Sequence, residues 1–202
     1  MTLPVGYFDA MYAASPDPWG FTSRWYERRK YALTLAALPR PRYAAAFEPG
    51  CSIGVLTEQL AARCDRLLSV DLAEQAVATA AERVAGCPHV RVRPGRMPQD
   101  WPDEDFDLIV LSEVGYYLGD ADLDTLLDRA VASLRPGGDL VAVHWRHPVA
   151  DYPQRGDEVH ERLDRVPGLA RLVRHEEADF RLDVHTRTPP PARSVAEREG
   201  LC

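Results

Sequence analysis

From residue 43 onward the 202-residue chain alternates between two hydrophobic textures. Short apolar runs bounded by turn residues predict strands at 43–47, 66–70, 90–93, 106–111 and 139–144. Between them the apolar positions recur at helical spacing. The stretch 73–84 is alanine-rich and ends before Gly86, while 120–134 carries Leu123, Leu126, Leu127, Ala130, Val131 and Leu134 before Arg135-Pro136-Gly137-Gly138 stops it. Strands alternating with helices predict an α/β fold with a mostly parallel sheet covered on both faces. The runs 169–173 and 180–186 fit a closing antiparallel pair, and the proline-rich segment 188–202 reads as a disordered tail. The polar-aromatic first 40 residues stand outside this rhythm, giving three parts: 1–40, 41–187 and 188–202.

Chemistry enters at Phe47-Glu48-Pro49-Gly50-Cys51-Ser52-Ile53-Gly54, where an apolar run meets a glycine turn and a helical pattern resumes at Val55. Asp71, followed by Leu72, closes the next run roughly 20 residues further on, where a nucleotide-binding α/β unit places an acid on ribose hydroxyls. The spacing is not the G-x-G-x-x-G that brings pyrophosphate onto a helix N-terminus. Glu48 is expected at the mouth of the loop, where a carboxylate would repel phosphate. It suits a phosphate-free nucleoside carrying a sulfonium and an ammonium, which is S-adenosylmethionine (SAM), with S-adenosylhomocysteine (SAH) as its product.

The net charge of −7 argues against a nucleic-acid partner. Arg28-Arg29-Lys30 is read as a solvated helix face or a local anchor. Cys51, Cys64, Cys87 and Cys202 lack metal-ligand spacing, and no disulfide framework, signal peptide or membrane span is read, so a cytoplasmic setting without metal is expected. The first 40 residues hold Tyr7, Phe8, Tyr12, Trp19, Phe21, Trp25, Tyr26 and Tyr31. These aromatics form either a helical cap packed on the core or a lid closing over the ligand, with Trp19, Trp25 and Tyr26 as its contacts.

Ligands of open α/β sheets sit beyond the carboxyl ends of the strands. This places Ser112, Glu113, Tyr116 and Tyr117 after one strand, and His144, Trp145, Arg146 and His147 after another, at the site. Glu113 and His144 are candidates to accept or relay a proton, with Tyr116 orienting the acceptor.

Together the glycine loop, Val70-Asp71, Asp105-Phe106-Asp107-Leu108-Ile109 and Leu134-Arg135-Pro136-Gly137-Gly138 resemble the class I SAM-dependent methyltransferases. The resemblance implies their Rossmann-like fold, a mostly parallel seven-stranded sheet with helices on both faces. Two departures stand out. Ser52 occupies a position where many members have glycine, and Gly95-Arg96-Met97 replaces an acid that holds adenine, leaving adenine to backbone groups near Arg96 and Met97.

A narrower resemblance, carried by Tyr7-Phe8-Asp9, Asp17-Pro18-Trp19, Tyr26-Glu27-Arg28-Arg29-Lys30-Tyr31, Leu111-Ser112-Glu113-Val114-Gly115-Tyr116-Tyr117 and His144-Trp145-Arg146-His147-Pro148, is to the NodS-type methyltransferases. It implies N-methylation of the free amine of a deacetylated chitooligosaccharide and a functional link to a sugar deacetylase. O-methylation of a small metabolite, or SAM binding without turnover, are the alternatives the residues leave open.

Overall fold

Strand β4 (Phe106–Ser112) shows how the sequence makes the sheet. Leu108 and Val110 point into one core and Ile109 and Leu111 into the other. The same division continues in β5 (Leu134–Trp145), with Val141 and Val143 on one side and Leu140 and Ala142 on the other. Strands buried on both faces are the mark of a covered parallel sheet.

The computed structural model describes residues 1–202. Helices α1 (Val5–Ala14) and α2 (Trp25–Ala37) precede β1 (Ala46–Pro49). There follow α3 (Val55–Ala61), β2 (Leu67–Asp71), α4 (Glu74–Arg83), β3 (Val90–Pro94) and β4. Helix α5 (Asp120–Ser133), β5, α6 (Gly156–Leu163), β6 (Leu169–Glu176), β7 (Phe180–Arg187) and α7 (Val195–Arg198) complete the chain. The seven strands lie in the order β3-β2-β1-β4-β5-β7-β6, with β7 antiparallel to both neighbours. This is the class I methyltransferase sheet. The order reverses between β1 and β4, which opens a crevice at their carboxyl ends.

The two faces are covered by different sets of helices. Tyr12, Phe21 and Tyr31 from the N-terminal segment join Leu56, Leu60 and Ala76 from α3 and α4 in one core. Leu123, Leu126 and Leu127 of α5 and Val159 and Leu163 of α6 fill the other. The N-terminal segment is therefore part of the main core.

Three elements differ from the sequence expectation. Arg135-Pro136-Gly137-Gly138 does not end a helix before a separate strand, because β5 already begins at Leu134, pairs there with Phe106, and bulges before resuming at the Leu108–Asp139 pair. Helix α6 was not anticipated; its short apolar stripe of Val159 and Leu163 sits among charged residues. The segment expected as a disordered tail carries α7, capped by Ser194, and Arg198 reaches the fully buried Asp139 at 3.3 Å. No helix is long and apolar enough to cross a membrane.

Candidate active site

A cavity of about 510 Å³ opens at the carboxyl ends of β1, β2 and β4 beneath the N-terminal segment. Gly50, Ser52, Asp71 and Leu72 form one wall, Gly95, Arg96 and Met97 a second, and Tyr12, Trp19 and Phe8 a cover. Gly50 has φ +75°, and a Cβ there would lie 2.2 Å from Val114 Cγ2, so only glycine allows the loop to approach Val114 this closely. Asp71 accepts the Ser52 N–H at 2.7 Å and the Ala73 N–H at 3.0 Å, so one carboxylate both folds the loop and faces the cavity. Burial raises its pKa against these backbone bonds. Ser52, also at positive φ, shares a 2.5 Å hydrogen bond with Tyr12, tying α1 to the loop.

At the other end stands Glu113, a non-glycine residue at φ +58°, a strained conformation often found where function demands a particular side-chain placement. Its Oε1 accepts from Lys30 Nζ at 2.6 Å, and its Oε2 accepts from the Trp145 N–H at 3.0 Å and from the Tyr116 hydroxyl. Lys30 is buried and lies 2.9 Å from Glu27 as well. Burial alone would lower the lysine pKa, but the two carboxylates outweigh it and hold the ammonium above its ordinary range. Around this charge cluster the rings interlock: Tyr116 stacks on Tyr152 with centroids 4.9 Å apart, and Tyr26 meets Trp145 edge-on at 5.5 Å. Burial keeps Tyr116 a neutral phenol. The buried Tyr26 hydroxyl has no partner within the protein.

Several expected residues stand elsewhere. Glu48 does not line the cavity: it is buried under the loop, where Thr57 and Ser69 hydroxyls donate to its Oε2 at 2.6 and 2.8 Å, and burial raises its pKa to about 7. It cannot meet a ligand at the loop mouth as expected. Cys51 and Gly54 belong to the loop but do not line the cavity, and Ser112 ends β4 without reaching it. Trp25 is 69% exposed and takes no part in the cover, whereas Trp19 and Tyr26 do.

His144 is the largest correction. Its ring is fully buried and outside the cavity, with Nε2 3.0 Å from the Gly115 nitrogen and Nδ1 3.1 Å from His160 Nε2. His160 in turn meets Asp183 at 2.7 Å. No proton of a bound acceptor can reach it directly. Sequence reasoning did not single out Glu27 and read Lys30 as part of a solvated helix face or local anchor; their i,i+3 spacing was the available signal. Arg24, Val114, Tyr152 and Asp179 also line the cavity and were not singled out as site residues.

The Nodulation protein S (NodS) family model matches residues 11–152. The chain belongs to the NodS family. Nodulation protein S from Rhizobium tropici is 36% identical over 130 residues, 63% of this chain and 55% of that protein. Matches to the curated NodS relatives span 55 to 62% of those proteins' length over most of the set. Among solved structures, the N-methyltransferase NodS from Bradyrhizobium japonicum WM9 in complex with SAH is 28% identical, covers 91% of this chain and 98% of that one, and superposes with a TM-score of 0.81. A candidate methyltransferase from Pseudomonas syringae is 51% identical over 81% of this chain and all of that one, with a TM-score of 0.73.

Proposed function

We propose that this NodS-family chain is a SAM-dependent N-methyltransferase whose acceptor is an amine on an amino sugar or a related small polar molecule. Residues of the cavity fit the cofactor. Gly50, packed against Val114 without a side chain, brings loop backbone to the cavity wall, Asp71 faces the cavity with lone pairs for a ribose diol, and Leu72 and Met97 offer apolar surface to a ring. When bound, SAM supplies a methyl group activated by a positively charged sulfur.

One observation favours nitrogen over oxygen as the acceptor. Both Glu113 oxygens are already engaged, by Lys30 on one side and by Tyr116 and the Trp145 N–H on the other, and His144 lies outside the cavity. A hydroxyl acceptor needs a free general base, and neither Glu113 nor His144, the two candidates, is free to be one. An amine needs only to arrive neutral and aligned. The Glu27–Lys30–Glu113 cluster carries one excess negative charge, which favours the positive charge an attacking amine develops. Tyr116, Tyr117, Tyr152 and Trp145 provide flat faces for a sugar ring. An amine exposed on a sugar is the product of a deacetylation, so we place the enzyme after a sugar deacetylase, in the cytoplasm where SAM is made.

Calorimetry tests the cofactor half. SAH binds and NAD does not, and Asp71→Ala weakens SAH by roughly 1 to 3 kcal/mol, the cost of leaving buried hydroxyls unpaired. Comparable NAD binding, or unchanged SAH affinity in the variant, contradicts the reading.

A further inference from the structure

We propose that His144 is a positioning residue for the acceptor site, acting through the Gly115 backbone as the first link of a buried His144–His160–Asp183 chain. This rests on the assignment of Glu113 and Tyr116 to acceptor alignment. The proton pattern follows from one donor. The Gly115 N–H can only donate, so His144 Nε2, 3.0 Å away, must present its lone pair and carry its proton on Nδ1. That proton is donated to His160 Nε2 at 3.1 Å, which leaves the His160 proton on Nδ1, 2.7 Å from Asp183 Oδ2. All three links agree on two neutral imidazoles.

The groups around the chain hold that state. His144 faces His160 from α6, Lys30 from α2 and Asp183 from β7, and burial, with His160 and the Lys30 ammonium, outweighs the carboxylate to keep its pKa well below the ordinary value. His160 faces Asp183 and Arg181 from β7 and Asp157 from α6, and burial lowers its pKa as well. Asp183 is bound by Arg181 at 2.8 Å and Arg174 at 3.1 Å; against burial, His160 and these guanidiniums keep it ionised.

The chain's far end meets the acceptor site. Gly115 opens a short 3₁₀ turn, Gly115–Tyr117, directly after the strained Glu113 and Val114. A Cβ at Gly115 would lie 3.0 Å from His144 Nε2 and 2.5 Å from Val159 Cγ1, so the backbone packs directly against the imidazole. The Tyr116 ring lies 5.3 Å from the His144 ring, and its hydroxyl reaches Glu113. Holding the Gly115 N–H therefore fixes where Glu113 turns and where Tyr116 points.

The test uses the full chain with ¹⁵N-labelled histidine and ¹³Cζ-labelled tyrosine. In the unsubstituted protein His144 Nε2 stays unprotonated as the pH is lowered through about 6.5, the ordinary imidazole value; an Nε2-protonated His144 there overturns the proposal. The Tyr116 ¹³Cζ signal, identified by its loss in Tyr116→Phe, shifts in His144→Leu and returns in His144→Gln, whose amide oxygen restores an acceptor for Gly115. His160→Leu shifts it in the same direction and serves if His144→Leu does not fold. An unmoved Tyr116 signal in the folded leucine variants sinks the idea. In SAH-loaded protein, binding of an N-acetylglucosamine tetramer deacetylated at one terminal sugar weakens roughly tenfold in His144→Leu and is recovered in His144→Gln, while SAH affinity is unchanged. If the tetramer fails to bind the unsubstituted protein, the acceptor reading fails and the Tyr116 signal still decides the role of His144; equal tetramer binding by wild type and the leucine variant overturns that role.

Discussion

Lys30 of α2 and Glu113 at the end of β4, 83 residues apart in sequence, form a 2.6 Å ion pair at the floor of the cavity. The pair joins the N-terminal helix α2 to the end of the strand at which the acceptor site is proposed. Removing one partner of a buried pair leaves the other without compensation. Lys30→Met is therefore expected to destabilise the protein by roughly 3 kcal/mol, and Lys30→Met combined with Glu113→Gln recovers part of that loss, as urea denaturation would show. Equal stability of Lys30→Met and wild type would mean the pair adds nothing to the fold.

The parallel sheet was legible because strands buried on both faces leave continuous apolar runs, and both β4 and β5 do. Their outline was read within a few residues, as were Gly50, Ser52 and Asp71 on the cavity wall. The roles of Glu48 and His144 were not legible. Position at a strand end fixes which end of the sheet a residue occupies, but not whether its side chain turns into the crevice or back under a loop. Glu48 turns back to Thr57 and Ser69, and His144 to Gly115 and His160. Lys30 was hidden for a different reason: a lysine beside two arginines reads as solvated until the acids that bury it, Glu27 and the distant Glu113, are known.

The cover divides its aromatics sharply. Tyr12 bonds Ser52 in the glycine loop, whereas Trp25 is exposed. Tyr12→Phe is expected to weaken SAH by roughly three- to tenfold, the worth of one hydrogen bond, and Trp25→Ala to leave it unchanged. Calorimetry showing the reverse order would place the cover differently.

Glu48 gives the fold a pH dependence. In the unfolded chain this carboxyl ionises near 4.5, but in the folded protein burial raises its pKa to about 7. Between these values the folded state binds the extra proton, so stability falls as pH rises through about 4.5 to 7 and is level above. Glu48→Gln keeps a carbonyl for the Thr57 and Ser69 hydroxyls and removes the titration. Its stability relative to wild type should improve by roughly 3 kcal/mol from pH 4.5 to 7.5, the free-energy equivalent of that shift. A pH-independent difference in urea denaturation would show that Glu48 is ionised in the fold across the range.

Methyl transfer itself distinguishes an amine acceptor from a hydroxyl or a carboxylate. The protein is incubated with methyl-labelled SAM and an N-acetylglucosamine tetramer deacetylated at one terminal sugar, beside its fully acetylated parent and a panel of small amines, hydroxyls and carboxylates, and the products are mapped by mass spectrometry. The account predicts a single methyl on the amine nitrogen of the tetramer or of another polar amine in the panel, and none on the acetylated parent. Transfer to a hydroxyl or carboxylate alone, or no transfer to any amine by protein that binds SAM, would contradict it.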